Sequence, residues 1–212
     1  MKKSIALKLS LILLLFTSCY EVAKEIKDWT QNNASDHIIS TQHLLEKDGI
    51  KIGLPDSFER YNFADYELLL DSLVLDNNNL KIEHARLKNM RAMEGNHYVF
   101  FDHSTYSTYT INSIPYTPIS RQDAKFLLGL IRQNQDYIAS TTDLTYTKIT
   151  AKHNTTGNTQ IFKAIYKIEN TNLNHHAFQH VYFVSSNNKT VLINLSTSFN
   201  VDFDPYLEKM IL

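Results

Sequence analysis

Three runs near the C-terminus decide the fold: Gln160-Ile-Phe-Lys-Ala-Ile-Tyr-Lys-Ile168, Ala177-Phe-Gln-His-Val-Tyr-Phe-Val-Ser185 and Thr190-Val-Leu-Ile-Asn-Leu-Ser-Thr197. Each is rich in β-branched and aromatic residues and is bounded by polar turn formers, as a strand should be. Asn187-Asn188 separates the last two, and because asparagine tolerates positive φ it reads as a tight hairpin. Leu144 to Ala151 is a fourth strand candidate just upstream.

Before this meander, Ser120 stands three residues ahead of Asp123, a capping box with Asp in place of the usual Glu. Ala124, Leu127, Leu128, Ile131 and Ile138 then mark the buried stripe of a long helix. His97 to Phe101 and Tyr106 to Ile111 read as paired strands around a polar turn. Ser57 to Leu73 and Leu80 to Met93 both carry apolar residues near helical spacing, and Gly95 is a stop for the second. Ile50, Ile52 and Leu54 alternate before Pro55, giving a short opening strand. Asp204-Pro205 starts a final helix, with Asp204 as its N-cap. The sum predicts an α+β fold, a mostly antiparallel sheet packed by helices, in a single domain over residues 50–212.

The N-terminus carries a different message. Lys2 and Lys3 precede an apolar run from Leu9 to Phe16 that only Ser10 interrupts. Such a run suits a signal segment, whereas a spanning helix needs roughly 20 apolar residues. Phe16-Thr17-Ser18-Cys19 follows and resembles the bacterial lipobox, with Phe16 where Leu usually stands. That resemblance implies cleavage after residue 18, lipid on the Cys19 sulfur and an acylated N-terminus. Tyr20, rather than Asp, after the cysteine favours the outer membrane by the same resemblance. The competing reading is an ordinary secretory signal with an incidental cysteine. As the one cysteine in the chain, Cys19 cannot form an internal disulfide.

Residues 19–49 read as a polar tether. Val22, Ile26 and Trp29 share one helical face, Asn32-Asn33 interrupts, and Ser35-Asp36 caps a second short helix ending before Gly49. A membrane-lying amphipathic helix is the alternative there, opposed by Glu21, Glu25 and Asp28 beside Lys24 and Lys27.

The C-terminal third also resembles the PsbP-like fold family. The resembling pieces are the strand ending at Leu54-Pro55, the meander of Phe162–Ile168, Phe178–Ser185 and Val191–Ser196, and the helix Tyr206–Leu212. Ser57 to Met93, with two helical stretches, departs from that pattern. The resemblance implies an adaptor or assembly role without chemistry, because relatives mostly bind other proteins.

Composition narrows the function classes. The chain is 43% hydrophobic and 20% charged, which suits a globular protein. Without Lys2, Lys3 and Lys8 it holds 18 basic against 22 acidic residues, a poor match for a nucleic-acid backbone. His175, His176 and His180 are the densest metal-capable group. On a strand, His176 and His180 would lie about 13 Å apart, too far to share one ion. Asp102-His103-Ser104 holds the residue types of a hydrolytic triad, yet neighbours on an extended chain point to opposite faces. Asp202 and Asp204 flank Phe203 without a partner carboxylate pair, and Gly157 stands alone, with no phosphate loop around it. No catalytic residue, metal site or cofactor is therefore assigned.

The tyrosines Tyr106, Tyr109 and Tyr116 sit among Ser and Thr and form the best candidate recognition surface. The expectation is a lipid-anchored protein of the bacterial cell envelope. Its role would be a non-enzymatic interaction, assembly or immunity-type module with a protein partner. The alternative is an envelope hydrolase or small-ligand-binding lipoprotein whose site is assembled from distant residues.

Overall fold

A computed structural model describes residues 39–73, 78–170, 172 and 175–212. Cys19, the helical face of Val22, Ile26 and Trp29, and the Asn32-Asn33 and Ser35-Asp36 signals lie outside the described residues.

Nine strands and four helices are present among the described residues. β1 (Thr41–Leu45) and β2 (Ile50–Leu54) form a hairpin, closed at Gly49, whose φ of 64° and amide bond to the Leu45 carbonyl make the turn. β3 (Phe58–Tyr61) leads into α1 (Phe63–Leu73) and α2 (Asn78–Met90). β4 (Asn96–Asp102) and β5 (Ser107–Ile114) precede the long α3 (Arg121–Thr141). β6 (Leu144–Thr156), β7 (Thr159–Asn170), β8 (His175–Ser186) and β9 (Lys189–Thr197) then run as a meander, and α4 (Asp204–Glu208) follows. The seven-stranded sheet has the order β3-β4-β5-β9-β8-β7-β6, every pairing antiparallel.

The decisive runs behave as their composition demands. Asn187 and Asn188 sit at φ of 49° and 60°, the paired positive angles of a two-residue turn that matches strand twist. Alternation along β8 and β9 then sends Tyr182, Val184, Val191, Ile193 and Leu195 to one face. There they join Tyr98, Phe100, Tyr109 and Ile111 under a lid of Leu45, Ile50, Ile52, Leu54 and Phe203 from the β1–β2 hairpin and the chain end. Ile211 clamps that lid by exchanging two backbone bonds with Lys51, both 2.9 Å. On the opposite face, α1 and α2 cover Val99 and Phe101, while α3 packs on Phe162, Ala164, Tyr166 and Phe183.

The α3 capping box forms as read: the Ser120 hydroxyl accepts from the Asp123 amide, and the Asp123 carboxylate accepts from the Ser120 amide. Three local expectations are corrected. Thr41–Leu45 is a strand, where a tether and short helix were expected, because pairing with β2 seals Leu45 into the core. Phe58–Tyr61 is a strand too, since β4 offers it an edge, and the helix starts at Phe63. Asp204 is the first residue of α4, not its N-cap. Its carboxylate instead accepts two bonds from Lys163 Nζ, at 2.7 and 2.6 Å, while Asp202 accepts the Asp204 amide.

Candidate partner-binding site

At one end of the sheet, the turn between β4 and β5 meets the segments 55–57 and 198–203. They enclose a pocket of about 310 Å³. Its walls are apolar, from Pro55, Phe58, Leu195, Val201, Phe203 and Tyr206. Phe199 stands in the lining with 45% of its surface exposed, and Tyr106 in the adjoining turn is 49% exposed. Tyr106 holds a φ of 55°, uncommon for a bulky residue, and its ring meets Phe101 edge-on at 6.3 Å.

The turn is built around Asp102. Its buried carboxylate accepts from Ser57 Oγ (3.0 Å), the Ser104 amide (2.8 Å), Ser104 Oγ (2.6 Å) and Thr105 Oγ1 (2.8 Å). Burial opposes ionisation, but these donors outweigh it and hold the carboxyl below its usual range. A carboxylate with its lone pairs so occupied is a brace for the turn and a weak proton acceptor. His103 turns away to Tyr61 Oη at 2.5 Å, with Glu59 at 3.9 Å. Ser104 donates to Asp102, not to the imidazole, so the three residues do not line up as nucleophile, base and orienter.

The three tyrosines do not share a surface. Tyr109 is 2% exposed: β5 alternation directs it, with Ile111, into the core beside Phe100 and Phe203. Its expected place on a recognition surface is corrected accordingly. Tyr106 and Tyr116 are exposed, but they flank opposite ends of β5, whose eight residues span about 25 Å. Tyr106 lies over Phe101, on the face that α1 and α2 cover and outside the pocket lining, and Tyr116 lies in the segment entering α3. Phe199, the exposed aromatic of the pocket, was missed because nothing in Ser198-Phe199-Asn200 marks it apart from its position after a strand.

The histidines are also separated. His175 and His176 are exposed at the start of β8, and His176 faces Glu169 in register. His180 is fully buried, with Nδ1 3.1 Å from Tyr182 Oη. β8 pairs with β7 without a bulge, so His176 and His180 keep the full strand separation. Among the described residues, no three of His, Cys, Asp and Glu gather as a metal-holding group. None of the described helices is long and apolar enough to cross a membrane.

No family model matches the chain, and no curated protein matches its sequence. Solved structures do resemble it. Cyanobacterial PsbP (CyanoP) from Synechocystis sp. PCC 6803, a solution structure, aligns over 83% of this chain and 94% of its own, with 15% identity and a TM-score of 0.52. The Ran-binding protein Mog1p of Saccharomyces cerevisiae aligns over 77% and 79%, with 9% identity and a TM-score of 0.42. A crystal structure from Bacteroides thetaiotaomicron aligns over 82% of this chain and 48% of its own, with 7% identity and a TM-score of 0.43. The CyanoP alignment extends well beyond the meander, terminal helix and opening strand that carried the resemblance in the sequence. The chain is an α+β protein with a PsbP-like fold.

Proposed function

We propose that this chain is a lipid-anchored module of the bacterial envelope, favouring the outer membrane, that binds another protein through the pocket beside the β4–β5 turn. The observation that carries the reading is the pocket itself: apolar walls, an exposed aromatic, Phe199, in its lining, and a floor braced by the Asp102 bonds. Aromatics in a preformed setting lose little conformational entropy on binding, and an apolar partner side chain fits a pocket of this size. Assembly and immunity-type roles both need such a surface and no chemistry at it. The PsbP-like fold supports the reading by analogy alone.

The test is recovery of cross-linked partners from envelope fractions. Phe199→Ala should cut recovery of the wild-type partner by at least tenfold, whereas Tyr106→Ala and Tyr116→Ala, outside the pocket, should leave it unchanged. Equal recovery with Phe199→Ala would refute the surface. A second reading, a small apolar ligand, has the volume in its favour, at the lower edge of the roughly 300–1,000 Å³ typical of ligand sites. Co-purification of a small molecule, with no protein captured, would select it.

A further inference from the structure

The long helix α3 carries two stripes. Ala124, Leu128, Ile131, Gln135 and Ile138 face the sheet: Ala124 and Gln135 are buried, and the others are half-buried. A shift of two residues, about 200° around the axis, gives Phe126, Leu130, Gln133 and Tyr137 on the opposite side. There Phe126 is 67%, Leu130 45% and Tyr137 69% exposed. Among the described residues, nothing covers these outward-facing side chains, on a helix already docked through its other side.

We propose that this outer stripe pairs with the same stripe of a second copy of the chain, the two α3 helices running antiparallel about a twofold axis between Leu130 and Gln133. The spacing along the stripe is four, three and four residues, so it reads identically in both directions. An isologous contact requires that property, since residue i must meet j while j meets i. Phe126 then faces Tyr137 of the second copy, and Leu130 faces Gln133. Charge agrees with the pairing. Lys125 and Asp136 lie on one flank of the stripe, both exposed, and neither forms an ion pair among the described residues. In an antiparallel pair like flanks meet, which sets Lys125 of each copy near Asp136 of the other. Arg132, also exposed, lies near the axis, within electrostatic range of Tyr166. Gly129 adds a further sign. Beyond its chain neighbours and its own helix backbone, no described atom comes within 4 Å of where a Cβ would sit, and a mid-helix glycine costs about 1 kcal/mol relative to alanine. Close approach of a second helix on that side gives it a use.

The contact is small. Two aromatics that could each bury about 150–250 Å², plus one leucine, fall well short of the roughly 800 Å² per partner of a standard interface. Pairing is therefore weak in dilute solution. Confinement to a membrane would raise its occupancy, a gain that rests on the anchor reading, whereas the pairing itself does not.

Zero-length coupling with a carbodiimide tests it. Within one helix Lys125 and Asp136 are eleven residues, about 16 Å, apart, so an isopeptide bond joining them must link two molecules. The full chain would be treated in envelope membranes and, separately, concentrated in detergent micelles. Mass spectrometry should find the Lys125–Asp136 cross-link within a covalent dimer. Lys125→Glu or Asp136→Lys alone should reduce dimer at least fivefold. Mixing the two variants should restore it, with the carboxylate introduced in one coupled to the amine introduced in the other, because each supplies what the other lacks. Absence of the wild-type cross-link from both preparations, or equal dimer yield from single and mixed variants, would overturn the proposal. A cross-link in an unacylated chain would uphold the pairing while the anchor fails.

Discussion

Two buried polar residues, one held neutral and the other held charged, both make the fold less stable as pH falls, and both act at the scale of a single side chain. His180 is fully enclosed, and burial is the main reason its pKa is depressed to about 4, with Lys163 adding to the effect and Asp202 opposing it. An unfolded histidine titrates near 6.5. The neutral form is thus favoured by folding, so its stabilisation is complete above pH 6.5 and is lost as pH falls from there towards 4. The loss is on the order of 3 kcal/mol at about 1.4 kcal/mol per pKa unit. Thermal melts from pH 7 to pH 4 should show a falling midpoint, and His180→Phe should flatten that fall; an unchanged slope would remove His180 as the cause. Asp102 works at lower pH. Its depressed pKa gives stability that is present above the unfolded value of about 3.9 and lost as pH drops through the folded value. Asp102→Asn exchanges an acceptor for a donor among four donors, and should cost about 1–3 kcal/mol in urea denaturation.

At the scale of the element, α3 depends most on its start. Its inner face buries just Ala124 and Gln135 fully, and the rest of the stripe is half-covered. A helix so lightly packed leans on its capping box, where Ser120 and Asp123 satisfy two otherwise orphaned amides. Ser120→Ala should cost about 1 kcal/mol and raise amide exchange in the first turn of α3, with little change in the β8–β9 hairpin. Uniform acceleration across both elements would mean that α3 has no separable stability. β6, the edge strand beneath it, limits a different hazard. It is bulged at Lys148–Thr150 and carries Lys148 and Lys152 exposed, features that discourage pairing with another sheet.

For the whole molecule, the address rests on the N-terminus. Cys19 precedes the described residues by about twenty positions, a reach of up to roughly 65–70 Å when extended. Intact mass of the protein from native membranes should equal the chain beginning at Cys19 plus two or three acyl chains. Each buried methylene contributes about 0.8 kcal/mol, so that many chains hold it firmly. Cys19→Ala should abolish both the acyl mass and sedimentation with membranes. An unacylated native protein would leave the fold and the pocket untouched and remove the envelope assignment.

The sequence by itself determined the meander, the hairpin at Asn187-Asn188 and the capped helix α3. In each of these, local conformational preference and apolar periodicity point the same way. It also marked a polar turn at Asp102-His103-Ser104. That Ser104 folds back onto Asp102 while His103 turns to Tyr61 was set by the turn in the tertiary structure, not by divergence along an extended chain. Other outcomes needed the tertiary structure. Thr41–Leu45 and Phe58–Tyr61 are too short and mixed to declare themselves, and became strands because partner edges were available to them. Tyr109 and Tyr106 are chemically alike and three residues apart. One was buried because β5 pairing fixed which face met the lid, and the other was left in a turn outside the ladder. The pocket is the clearest case: it joins residues 55–57, 102–107 and 195–206, and no local signal connects segments that only the closed sheet brings together.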